Sequence, residues 1–199
     1  MSSITYKNNY SHLWREFVNG NKDAFSEIYR LSYKSLYAYG LSFKVSGEQV
    51  RDIIQDLFLK LYAQPGYIKD TDTIRPFMFT SIRNACLNVL KGEDRYSDLD
   101  DIDEFEIEYL VDENLFEKKD ETDNLNLYVK TILDSLTARQ KEIIYLRFLH
   151  QMEYEEISGI MNLSEQAARN LTHRAITRLR KENDGYSLFV LIMILLSYS

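Results

Sequence analysis

Of the 199 residues, only one is cysteine, two are proline and seven are glycine. A lone Cys86 excludes an internal disulfide and fits a reducing compartment. So few Pro and Gly leave long stretches without breakers, which favours an all-α chain. The opening MSSITYKNNY is polar and lacks the apolar segment of a signal peptide, so a cytoplasmic protein is expected. The nine apolar residues from Leu188 to Leu196 fall short of the roughly 20 that span a bilayer. The sequence also lacks a metal-ligand cluster, a Gly-rich phosphate loop, and a nucleophile with a base partner. A non-enzymatic protein is therefore expected, with no cofactor, metal or small-molecule substrate. His12 and His150, without ligand partners, read as surface or packing residues.

Fifteen Tyr, ten Phe and 45% apolar residues are enough for a real core. The net charge of −7 argues at first against nucleic acid, but it is unevenly spread. Residues 1–92 balance to +4, residues 93–123 to −12 and residues 124–199 to +1. The acidity belongs to a linker, and the flanking modules are free to meet polyanions. The resulting division is a module at 1–92, an acidic linker at 93–123, a second module at 124–185 and an apolar tail at 186–199. Phe105, Ile107, Tyr109, Leu110, Leu115 and Phe116 give the linker a docking patch. A calcium loop begun at Asp98 or Asp101 would lack the Gly at position 6 and the Glu at position 12.

The second module centres on a helix-turn-helix. Tyr154, Ile157, Ile160 and Met161 recur at helical spacing, with Glu153, Glu155 and Glu156 directed outward. Asn162 and Leu163 break the helix, and Ser164 can cap the next one. Ala167, Ala168, Leu171, Ala175, Ile176 and Leu179 continue the period, and Glu165 to Lys181 holds five Lys or Arg against one Glu. Arg169, Asn170, His173 and Arg174 share one exposed strip of the size a major groove admits, while Arg178, Arg180 and Lys181 suit phosphates. Upstream, Thr137 and Gln140 form a capping box. Ile143, Ile144, Leu146, Phe148 and Leu149 supply core, and Arg147 is a candidate phosphate contact.

The first module reads as three helices. Residues 22–43 place Phe25, Ile28, Tyr29, Leu36 and either Tyr37 or Tyr39 at helical intervals. Ser46 and Gln49 form a capping box, and Gln64-Pro65-Gly66 ends that second helix. Between them Val50, Ile53, Ile54, Leu57, Phe58 and Leu61 make a core stripe. Asp52, Gln55, Asp56 and Leu59 share the opposite face, either solvated or a protein interface. After a polar loop at 67–75, Pro76 opens a third helix that Gly92 closes. Ile82, Ala85, Cys86, Val89 and Leu90 form its buried side, with Arg83, Asn84, Asn88 and Lys91 outside. Phe77 and Phe79 near its start either stack on unpaired bases or belong to the core, at least one of them to the core.

The run LTARQKEIIYLRFLHQMEYEEISGIMNLSEQAARNLTHRAITRLR resembles, without a gap, region 4 of the extracytoplasmic-function sigma factors of bacterial RNA polymerase. DAFSEIYRLSY resembles the opening of region 2, DIIQDLF at 52–58 resembles region 2.2, and FTSIRNACLN at 79–88 is similar to regions 2.3 and 2.4. The resemblance covers residues 20–181 and implies two small helical domains. It gives Asp52, Gln55, Asp56 and Leu59 to the clamp helices of the polymerase beta-prime subunit. Phe77, Phe79, Arg83, Asn84, Asn88 and Lys91 go to the melted minus-10 strand, with Lys69 to Thr73 pocketing a flipped base. Arg147, Tyr154, Ser164, Arg169, Asn170, His173, Arg174 and Arg178 go to the minus-35 duplex, with Glu155 beside the DNA backbone. The linker would run toward the RNA exit path, and a membrane-bound anti-sigma factor would be a partner. The sequence departs from the family in lacking a Trp near Phe77 and in having Thr137 where Pro is usual. Two rivals are a dimeric helix-turn-helix regulator acting alone and a sigma-like adaptor whose acidic segment masks the basic helix. The apolar tail could fold back on the second module, meet an anti-sigma partner or lie at a membrane surface.

Overall fold

The structure is a computed structural model that describes residues 3–68, 71–92, 105–107 and 130–182. Lys69 and Asp70, most of the acidic linker and the apolar tail lie outside the described residues, as do the expectations made for them. Among the described residues all regular structure is helical.

Helix α1 (Ser3–Val18) has no counterpart among the helices read from sequence. Its signal was nonetheless present, because Tyr10, Trp14 and Phe17 step by four and three and all face inward. Trp14 lies 5.3 Å from Phe17, and Phe17 meets Phe25 of the next helix at 4.6 Å. Helix α2 (Lys22–Leu41) is capped by Asn21, whose Oδ1 accepts from the N–H groups of Asp23 and Ala24. Ile28, Leu36 and Tyr39 are buried as the spacing predicts. Tyr29 is a correction: it is 41% exposed and touches Phe58 edge-on, because successive helix positions diverge by about 100° and Ile28 occupies the inward direction.

Helix α3 (Gly47–Ala63) begins with the predicted Ser46–Gln49 capping box. Val50, Ile54, Leu57, Phe58 and Leu61 are buried. It crosses α2 at Gly40, where a Cβ would sit 2.6 Å from Val50 Cγ1, so the approach requires glycine. Two tight turns, Pro65–Tyr67 and Thr71–Thr73, lead to helix α4 (Ile74–Gly92). This helix starts two residues before Pro76, which still lies in the first turn, where its missing N–H is not needed.

In the second half residues 130–134 are helical, followed by helix α5 (Ala138–Ile144), which opens on the predicted Thr137–Gln140 capping box. It widens into a π turn, Tyr145–Leu149, closed by the His150 N–H donating to the Tyr145 carbonyl. Helix α6 (Tyr154–Met161) stops at Asn162, which is left-handed at φ 52°, a conformation Asn tolerates. Ser164 Oγ then accepts from the Ala167 N–H at 3.1 Å to start helix α7 (Glu165–Glu182).

Ile132, Leu133, Leu136, Ile144, Ala175 and Leu179 form a core beneath α5 and α7. The remaining inward residues of the second half, among them Ile143, Leu146, Ile157 and Met161, are continuous with the core of the first. Phe105 lies at that junction, 5.1 Å from Phe43 and 5.8 Å from Tyr145, with the Glu106 N–H donating to the Ser42 carbonyl and Lys44 paired with Glu106. The linker thus docks at Phe105, and Ile107 packs beside it.

Candidate nucleic-acid interface

Helix α3 turns its apolar stripe inward, which leaves Asp52, Gln55, Asp56 and Leu59 together on the outside. Leu59 is 59% exposed, an apolar side chain standing among acceptors. This is the face expected from the spacing.

On α4, Asn84 and Asn88 are exposed and Lys91 is half-buried. Arg83 is not outside as expected. It is 2% exposed, and its Nε donates to Glu142 Oε1 on α5 at 2.9 Å. The Tyr39 hydroxyl donates to the same oxygen at 2.7 Å. Burial, followed by the Glu142 carboxylate, raises the Tyr39 hydroxyl well above its ordinary value, so it stays protonated and donates. A buried cation needs a partner, and this one is 59 positions away, beyond the reach of a local pattern. Phe79 is also buried, between Tyr39 at 5.1 Å and His150 at 4.9 Å, and so takes the core alternative. Phe77 is half-buried and meets Tyr67 edge-on at 5.7 Å. Tyr67 was placed in a polar loop by sequence. It is 59% exposed, with Lys60 Nζ 5.0 Å from the ring centre, and it puts an aromatic surface beside α4 where the usual Trp is missing.

On α7, Arg169, Asn170, His173, Arg174, Arg178, Arg180 and Lys181 are all exposed. His173, Arg174, Thr177, Arg178 and Lys181 line one shallow groove. Asn170 Oδ1 accepts from Gln166 at 3.0 Å, which fixes the amide's orientation. Ser164 is exposed, and its oxygen is engaged in the helix cap. Half-buried Tyr154 lies between two guanidinium groups, Arg147 at 4.9 Å and Arg169 at 4.5 Å. Arg147 also donates to the Met152 carbonyl at 2.5 Å and to Glu153 at 3.1 Å, and Arg169 pairs with Glu165 at 3.3 Å. Of the three glutamates expected to face outward, Glu156 is buried because its Oε2 turns back to accept from the Glu153 N–H. Glu155 is exposed and lines a cleft of about 520 Å³ with Asp72, Phe77 and Thr80, where α4 faces α6.

The described residues thus present two exposed surfaces, an acceptor-rich face with an exposed leucine on α3 and a basic strip on α7. Residues 28–96 match the family model of sigma-70 region 2, and residues 132–181 match that of sigma-70 region 4. The ECF RNA polymerase sigma factor SigM of Bacillus subtilis is 24% identical over 158 residues, covering 77% of this chain and 91% of that one. The ECF RNA polymerase sigma-E factor of Escherichia coli is 25% identical over 162 residues, covering 78% and 84%. Among solved structures, CnrH in complex with the cytosolic domain of CnrY superposes with a TM-score of 0.58 at 19% identity, over 89% of this chain and 98% of that one. The chain belongs to the sigma-70 family, in its extracytoplasmic-function group. Its function is promoter recognition for RNA polymerase in transcription initiation.

Proposed function

We propose that the three surfaces divide the work of a sigma factor among named residues. Asp52, Gln55, Asp56 and Leu59 on α3 dock the chain on the polymerase clamp helices. Asn84, Asn88 and Lys91 on α4, with Phe77 and exposed Tyr67, hold the melted minus-10 strand, since unstacked bases bind rings and polar edges. On α7, Asn170, His173 and Arg174 read the minus-35 bases, and Arg147, Arg169 and Arg178 take phosphates. Tyr154 positions Arg147 and Arg169. The chemistry is the polymerase's, and the chain works in the cytoplasm without a catalytic group of its own. A membrane-anchored anti-sigma partner fits this reading, because CnrH, which shares the fold, was solved with a domain described as cytosolic.

The observation that carries the proposal is the α3 face, where Leu59 is 59% exposed amid Asp52, Gln55 and Asp56. The test is co-elution with sigma-free bacterial core polymerase, comparing the intact chain with an Asp52→Arg, Asp56→Arg double variant. Binding that the double variant abolishes supports the docking face. Equal binding by the double variant, or no binding by the intact chain, would overturn the docking role of this face.

A further inference from the structure

We infer that Gln166 is a base-reading residue: hydrogen-bonded to Asn170, it forms with it a joint reader of one adenine in the minus-35 duplex. Neither the basic pattern of α7 nor the family resemblance gave Gln166 a role. The inference rests on the minus-35 reading proposed above and names the base that this part of α7 selects.

Ala168, Thr172, Ala175 and Leu179 are buried and fix the inward side of α7. At about 100° per residue, Gln166, Asn170, His173, Arg174, Thr177 and Lys181 fall within roughly 50° of the opposite direction and form the outer ridge. All six are exposed. Arg169 and Arg178 stand about 90° from that ridge, one on each flank, where a helix in a groove meets phosphates. Gln166 is the second residue of the helix, so it and Asn170 are the ridge residues nearest the N-terminus. A recognition helix touches base edges with that end.

Gln166 Nε2 donates to Asn170 Oδ1 at 3.0 Å. A carboxamide has one acceptor oxygen and two donor hydrogens, so this bond leaves the Gln166 oxygen to accept beside the Asn170 N–H groups to donate. In the major groove adenine offers the converse, an N6–H donor beside the N7 acceptor. Guanine presents two acceptors there and would set O6 against the Gln166 oxygen. Cytosine has no acceptor for Asn170, and thymine has no donor for Gln166. An amide pair four residues apart also steadies a helix wherever it stands. This one stands on the outer ridge, at the end that reads bases, with a guanidinium on each flank. Bonding the two amides to each other before DNA arrives also spares part of the side-chain ordering that base contact costs.

The experiment uses the full chain assembled with sigma-free bacterial core polymerase. A duplex library randomised across the minus-35 element is selected by wild type, Gln166→Ala, Asn170→Ala, the double variant and Gln166→Glu. Wild type should prefer adenine at one position of the element by roughly 5- to 150-fold. Gln166→Ala and Asn170→Ala should each lose that preference at the same position, and the double variant should lose little more than either, because one joint reader fails in all three. Gln166→Glu, which carries acceptors only, should move the preference there toward cytosine, whose N4 donates. An element selected without adenine, an unchanged profile in Gln166→Ala, or losses at different positions in the two single variants would overturn the joint reader and leave the minus-35 role of α7 standing. Selection of no minus-35 sequence by wild type would overturn that role and the joint reader with it.

Discussion

Acid should loosen the packing between the two halves through His150. Its Nε2 is buried and without a hydrogen-bond partner among the described residues. The ring lies edge-on to Phe79 at 4.9 Å and Tyr145 at 4.8 Å. Burial first, and the neighbouring Arg75 guanidinium second, lower its pKa from the ordinary 6.5 to about 3. Above pH 6.5 the ring is neutral in both folded and unfolded chains and adds no pH dependence. Below it the unfolded chain takes up a proton that the folded chain refuses. Stability then falls by up to about 1.4 kcal/mol per pH unit, and the fall ends near pH 3. At pH 5.0 the loss from this one group is about 2 kcal/mol. The assay is urea unfolding of wild type and His150→Phe at pH 7.5 and 5.0. The carboxylates and the other two histidines are common to both proteins, so their titration cancels in the comparison. Wild type should lose about 2 kcal/mol more than His150→Phe between the two pH values. Equal losses would refute the reasoning and place the imidazole in contact with water.

Tyr154→Leu should release both guanidinium groups and weaken minus-35 duplex binding by roughly five- to thirtyfold, at about 0.5–1 kcal/mol for each of the two cation–ring contacts, with Tyr154→Phe restoring it, as measured by fluorescence anisotropy of the polymerase-bound chain. The α2–α3 crossing should reject Gly40→Ala. A methyl group 2.6 Å from Val50 costs about 1–3 kcal/mol in overpacking, against about 1 kcal/mol gained in helix propensity, and Val50→Ala should relieve the clash in thermal melts. Burial pushes the Cys86 thiol up to about 12, so a thiol reagent at pH 8 should label the chain only as fast as it unfolds, and rapid labelling of the native chain would contradict that burial.

Periodicity and capping carried most of the fold. Ser46–Gln49 and Thr137–Gln140 mark two helix starts, and both capping boxes form where the residue types place them. Ser164 caps α7 after a left-handed Asn162, so the helix-turn-helix break was written in three residues. The outward face of α3 was equally legible, because its apolar stripe leaves Asp52, Gln55, Asp56 and Leu59 only one direction to point. Tyr67 was not legible as a surface aromatic. Its exposure depends on the tight turn Pro65–Tyr67 and on Phe77, ten positions on, and not on a periodic neighbour.

Closure of the two halves was invisible for a different reason. With 28% charged residues, the pattern assigns every charged side chain to solvent by default, and for Asp52, Arg169 or Arg174 that default holds. It fails at Arg83, Glu142 and Glu156, each of which is buried against a hydrogen-bonding partner. Glu156 finds its partner three residues away in the cap of its own helix, a distance that a capping-box search can cover. Arg83 and Tyr39 find theirs 59 and 103 positions away, where no local pattern reaches. Whether a charged side chain is buried depends on its partner as much as on its own position. Contacts that hold two modules together through such pairs are therefore the part of a fold that amphipathic spacing misses.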